Sequence, residues 1–242
     1  MDVVIKTLSD KSAAFLKDQT QLNPDMIKTL EIYTGPGYKK INKVLRETKG
    51  NIDSLPETDE TKKDIMLIDK LFSLADPITE PITLYRGVGR EAYTTKQDYG
   101  FISASYEMET ALVFTNLYNL ELEKKKGERR TCCLIEINVP VGTRCIFLEE
   151  ISLNPGEKEV LLPRNGKFIL TSVGLSTDSS NLDTYFVTFV PHTAEEFTVM
   201  SDTVVNAHEK LKILKKVVET VEKEATLEAH YQANSLLYSK KL

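Results

Sequence analysis

The feature that most constrains this chain is a change of hydrophobic period at Pro81. Before it, apolar residues recur at helical spacing: Ile27 and Leu30, then Ile41, Val44 and Leu45, then Ile65, Ile68, Leu71, Phe72 and Ala75. Breaks at Asn23-Pro24, Gly35-Pro36-Gly37, Gly50-Asn51 and Leu55-Pro56 divide this region into short helices. After Pro81 come short β-rich runs, expected from Ile82 to Tyr85, Gly100 to Ser105, Cys132 to Val139, Arg144 to Leu148, Glu159 to Leu162, Phe168 to Val173 and Tyr185 to Val190. One helix, roughly Glu107 to Leu120, interrupts them. Helices gathered first, with consecutive strands after, predict an α+β fold.

From about Ala194 to Tyr231 the pattern is helical again. Ala207, Leu211, Leu214, Val218, Val221 and Ala225 form a narrow apolar seam, with Lys and Glu filling the other faces. Such a seam suits docking on its own domain, self-association or a target-binding element. The expected division is a domain over 1–193, helical over 1–80 and β-rich over 81–193, with a helical extension over 194–242.

Composition narrows the function classes. The chain has 242 residues, 41% hydrophobic and 28% charged, with a formal charge of −5. That charge argues against nucleic-acid binding by blanket phosphate neutralisation. No apolar run approaches the ~18 residues of a membrane span, and Met1 to Lys6 lacks a signal-peptide core. Cys132 and Cys133 are adjacent and should face opposite ways; Cys145 stands alone. His192, His208 and His230 show no metal-ligand spacing. These residues read as structural or surface groups in a reducing, cytoplasmic setting, with no metal site.

Three motifs carry the chemistry. In Pro155-Gly156-Glu157-Lys158-Glu159-Val160-Leu161-Leu162-Pro163 a turn enters an apolar strand. Strand alternation would project Glu157 and Glu159 to the same side. Paired carboxylates repel one another, which suits a site where one handles a nucleophile and the other faces developing positive charge. Taken alone, a Glu-Lys-Glu run reads as solvated surface. In Leu84-Tyr85-Arg86-Gly87 an arginine ends an apolar run before a flexible Gly87-Val88-Gly89, and its fork matches phosphate oxygens. Taken alone, it reads as a structural ion pair. In Phe101-Ile102-Ser103-Ala104-Ser105 two hydroxyls share a strand face.

In this order and spacing, the three motifs resemble the Arg / Ser-x-Ser / Glu-x-Glu signature of mono-ADP-ribosyltransferases, in the branch of clostridial binary toxins, exoenzymes and phage enzymes. Tyr33-Thr34-Gly35-Pro36-Gly37-Tyr38 with Asn42 and Arg46 is similar to that family's helical lid. The resemblance implies two packed, mostly antiparallel sheets under an N-terminal helical lid, with an added C-terminal helix. It implies NAD as substrate and a target protein as partner. Glu159 would stabilise the ribose cation, Ser103 would orient Glu159, and Ser105 would support the same strand. Arg86, with Gly87, would hold the pyrophosphate, while Tyr33, Tyr38, Asn42 and Arg46 would line the nucleotide. Glu157 would serve the acceptor, and Glu-x-Glu in this family accompanies arginine. A toxin, an injected effector acting in the host cytoplasm, and a phage enzyme all fit. NAD glycohydrolysis and a silent NAD-binding module are the alternatives. The long charged stretch from Asn116 to Arg130 departs from the binary-toxin pattern, leaving open whether Phe114, Arg129 or Arg130 meets the dinucleotide. No Gly-x-Gly-x-x-Gly is present, so NAD would bind without a Rossmann crevice.

Overall fold

The computed structural model describes residues 3–18, 20, 22–89, 97–115, 132–174 and 182–192. The helix expected from Ala194 to Tyr231 and the charged stretch from 116 to 130 lie outside the described residues.

Four α-helices form the first part: α1 (Val3–Lys17), α2 (Pro24–Ile32), α3 (Tyr38–Glu47) and α4 (Glu60–Leu74). Their starts follow local chemistry. The Asn23 side chain accepts from the Met26 amide at 2.9 Å with Pro24 just inside α2, and Asp59 accepts from Lys62 N at 3.1 Å to open α4. The break expected at Gly35-Pro36-Gly37 is a kink rather than a gap. Residues Tyr33–Gly37 make a wide turn that carries α2 into α3, with only Gly35 leaving helical geometry. Gly37 is required there, because a Cβ would sit 2.6 Å from the Ile32 carbonyl oxygen.

Seven strands follow: β1 (Ile82–Gly89), β2 (Ile102–Ser105), β3 (Cys132–Val139), β4 (Ile146–Phe147), β5 (Glu159–Leu162), β6 (Lys167–Gly174) and β7 (Asp183–Val190). Their order is β4-β5-β2-β1-β3-β7-β6, antiparallel except between β3 and β7. The two sheets expected are two halves of one hydrogen-bonded series, joined at a single register pair, Tyr85 opposite Ser105. β1 pairs with β3 over its whole length, through Gly89 opposite Cys132. Arg86 is therefore mid-strand, not at a strand end, and Gly87-Val88-Gly89 is ladder, not flexible loop. The glycine at 87 serves packing: a Cβ there would lie 2.2 Å from the Ala111 carbonyl oxygen, on the helical residues 108–115 that cross the strand.

The helical layer grips the sheet at Phe101. This fully buried ring stacks on Phe72 at 5.8 Å and meets Tyr33 edge-on at 6.0 Å. Its backbone is held by Asn42 of α3, whose amide oxygen accepts from Phe101 N (2.9 Å) while its amide nitrogen donates to Phe101 O (3.2 Å). A second clamp joins the layers at the β5–β6 turn. Arg164 there pairs with Asp69 of α4 at 2.9 Å and donates to the Gly50 carbonyl at 2.8 Å.

Replacing Asn42 with alanine strands the Phe101 amide and leaves its carbonyl only the 3.4 Å bond from Tyr33, and a loss of about 1–3 kcal/mol in urea unfolding is expected. A loss well under 1 kcal/mol would show that Asn42 is not the grip.

Candidate active site

Where β1 and β2 part, the next hydrogen-bonded pair in this register would be Gly87 with Ser103. Instead Nη1 of Arg86 donates to the Ser103 carbonyl, so a side chain stands in for the missing ladder bond. The parted strands, the kinked α2–α3 segment and the turn before β5 enclose a cavity of about 420 Å³, within the range of small-molecule sites. Glu157, Glu159, Ser103, Ser105, Arg86, Gly87, Tyr33, Tyr38, Asn42 and Arg46 all line it.

Glu159 is buried at 8% exposure, at the first position of β5 opposite Ser105. The Ser103 hydroxyl lies beside its carboxylate and favours the charged form. The same hydroxyl lowers the pKa of Tyr33, whose own hydroxyl donates to the Phe101 carbonyl at 3.4 Å. The Tyr33 hydroxyl in turn accepts from Asn42 at 3.0 Å. Asn42, Tyr33 and Ser103 thus stand in a row beside Glu159. Burial keeps the Tyr33 phenol well above its ordinary value and neutral. Burial also raises the pKa of Glu159, and the charge of Glu157 adds to this, while Ser103 and Arg86 oppose it. Burial alone raises Glu157.

Glu157 is not in the strand. It ends a 3-10 turn, Pro155–Glu157, and Lys158 has a left-handed backbone with φ 51° and ψ 42°. Period-two alternation is therefore not what brings the carboxylates to one cavity; a turn with one left-handed residue does so, at a backbone cost of about 1 kcal/mol.

Other expected residues have internal duties. Asn42 spends its amide on Phe101 and Tyr33, and the Tyr33 ring is buried. Arg46 makes a bidentate pair with Asp98 at 2.9 Å. Ser105 Oγ accepts from Glu107 N at 3.1 Å, starting the helical residues that follow. Tyr38 and Phe114 stay 42% and 41% exposed, two aromatic faces turned to ligand or solvent. Arg129 and Arg130 lie outside the described residues. Asp98 and Asn154 were not foreseen. Asp98 raises the pKa of Arg86 against the lowering effect of burial, and its Oδ1 accepts from Gly100 N at 2.9 Å. That Asp-x-Gly turn is the local signal that could have found it. Asn154 enters the lining from the turn before Glu157.

A sequence model of the ADP-ribosyltransferase exoenzyme family matches residues 10–191, most of the chain. The chain belongs to that family. The family's enzymes are transferases that use NAD, and the fold agrees. The C3 exoenzyme of Clostridium limosum superposes with a TM-score of 0.60 at 21% identity, over 77% of this chain and 93% of that one. C3stau2 of Staphylococcus aureus, solved with NAD, gives 0.59 at 18% identity over 79% and 97%. The Vis ADP-ribosyltransferase of Vibrio splendidus, solved with agmatine, gives 0.56 at 19% identity over 81% and 88%. No curated protein matches this ADP-ribosyltransferase by sequence.

A carboxyl whose folded pKa lies above its unfolded value favours the fold at pH below the unfolded value, and loses that advantage as pH rises through the folded one. The Glu159→Gln protein should therefore melt above the wild type at neutral pH, with the gap closing as pH falls. An equal or lower melting temperature at neutral pH would contradict the raised pKa.

Proposed function

We propose that this protein transfers ADP-ribose from NAD to an arginine side chain of a target protein inside a host cell. The observation that carries the reading is that two carboxylates, Glu157 and Glu159, share one cavity with Arg86 and the Ser103 hydroxyl. The family's use of NAD, and the NAD bound in C3stau2, support the donor. The agmatine bound to Vis, a small guanidinium compound, supports the acceptor class. The exoenzyme and toxin names of the relatives support action on another cell's protein.

In this reaction the bond from ribose C1 to the nicotinamide nitrogen breaks with the electron pair leaving on nicotinamide. The ribose passes through an oxocarbenium-like state. Glu159, held by Ser103, stabilises the positive charge, and a fixed anion in a water-poor pocket is the most effective way to do so. Arg86 keeps one arm on the Ser103 carbonyl and offers its remaining N–H groups to the pyrophosphate. Tyr38 and Phe114 flank the ligand's flat rings. A guanidinium has a pKa near 12 or above and is a poor nucleophile while protonated. Glu157 orients it and accepts its proton as the new C–N bond forms. The raised pKa of Glu157 suits it to that task.

Glu159→Gln should lower nicotinamide release by about 100-fold or more, since the fixed charge is gone. Glu157→Gln should lose transfer to protein or agmatine while retaining NAD hydrolysis. Removing the Glu157 charge also lowers the pKa of Glu159, so the acid limb of hydrolysis should move to lower pH in that variant. Arg86→Lys should weaken NAD binding by about tenfold. Mass spectrometry of host lysate incubated with NAD tests the whole reading. An ADP-ribosylated arginine supports it; free ADP-ribose with no modified protein assigns the protein as an NAD glycohydrolase.

A further inference from the structure

The turn that carries Glu157 is held at its start, where Leu153 N donates to Thr34 Oγ1 at 3.1 Å and Asn154 N to Ser152 Oγ at 3.0 Å, but its tip is open. Asn154, Pro155 and Gly156 are exposed, and a Cβ placed on Gly156 would meet nothing within 4 Å. Glu159, two residues on, is held rigidly by the β2 ladder and by a 2.9 Å bond from Leu148 N to its carbonyl. Lys158 is the only residue between them, so its backbone rotation sets where Glu157 lies relative to Glu159. The turn's own bonds, Glu157 N to Asn154 O (3.0 Å) and Lys158 N to Pro155 O (3.3 Å), leave that rotation unbraced.

Among the described residues, one side-chain bridge braces Lys158 itself. Nζ of Lys158 is ion-paired and hydrogen-bonded to Oε1 of Glu149. The other oxygen of Glu149 accepts from the Tyr106 hydroxyl at 2.7 Å. Tyr106 directly follows the serine strand, packs its ring against Phe147 at 6.1 Å, and donates its amide to the Lys158 carbonyl at 3.4 Å. Both ends of Lys158 are thus tied to the strand that carries Ser103. None of these three side chains lines the cavity.

We propose that Glu149, with Tyr106, is a positioning device that acts through Lys158 to hold Glu157 against the acceptor, so that it sets the partition between transfer and hydrolysis. This rests on the arginine-transferase reading above. Glu149 touches neither donor nor acceptor. It keeps the carboxylate turn in one orientation, and loss of that orientation penalises only the step that needs Glu157. Water reaching the ribose carbon requires Glu159 alone, so hydrolysis survives when the turn loosens.

The test measures agmatine ADP-ribosylation and ADP-ribose release from NAD in the same reaction, for full-length wild type and variants. Glu149→Ala and Lys158→Asn should shift the partition from transfer to hydrolysis by about 10- to 100-fold, the scale set by misplacing a reacting group by an ångström. Tyr106→Phe should shift it less, and Lys158→Arg, which keeps a cation on Glu149, should stay near wild type. Asparagine tolerates the left-handed backbone, so Lys158→Asn removes the bridge alone and decides the matter if Glu149→Ala fails to fold. An unchanged partition, or an equal fall of both activities in a folded variant, overturns the proposal. A wild type that modifies no guanidinium overturns the arginine reading with it. A wild type that does, with variants of unaltered partition, overturns only the bridge.

Discussion

The structure depends on a backbone ladder that stops after one pair. β1 and β2 meet at Tyr85 and Ser105 and then part, so two sheet halves are joined by a hinge of peptide hydrogen bonding rather than by a full seam. A strand that leaves its neighbour exposes polar groups that must be satisfied elsewhere. Here the Arg86 guanidinium takes the Ser103 carbonyl. The opening is therefore lined from the start by a fork of donors, and the serine facing it is already held in place. The candidate cavity and the repair of an interrupted sheet are one arrangement.

The same economy applies to the acid residues. Glu159 is buried beside another carboxylate, which raises its pKa and disfavours the fold at neutral pH. It is tolerated because the Ser103 hydroxyl and the Arg86 guanidinium favour its charge, with Tyr33 and Asn42 packed beside them. Asn42 serves two ends at once, since its amide also anchors Phe101, the ring on which helices and sheet close. The contact to Tyr33 and the main interlayer contact run through one side chain, so the helical layer lines the candidate site as well as covering it.

Much of this was legible in the chain. The change of period at Pro81 separated helices from strands, because side-chain periodicity is a local property of helices and strands. Three short motifs carried every residue later found around the cavity at 86, 87, 103, 105, 157 and 159, and the lid pattern carried 33, 38, 42 and 46. The misreadings share a cause. Gly87-Val88-Gly89 looks like a loop by composition, yet it is strand, because residues 108–115 cross so closely that only glycine fits at 87. Glu157 looks like a strand residue by alternation, yet it sits in a turn whose left-handed lysine is braced by Glu149, nine positions away in sequence. Asp98 gave only a turn signal, because its partner Arg46 lies in another element.

The amino-acid sequence by itself determined which reactive side chains the chain carries and most of its helical and strand segments, since side-chain type and hydrophobic period need no partner to be read. Only the tertiary structure decided how those groups act: that Arg86 replaces a ladder bond, that Asn42 and Tyr33 stand behind Ser103, and that Lys158 is tied to Glu149. Each of these is a contact between residues on different segments, and its geometry exists only after those segments have packed.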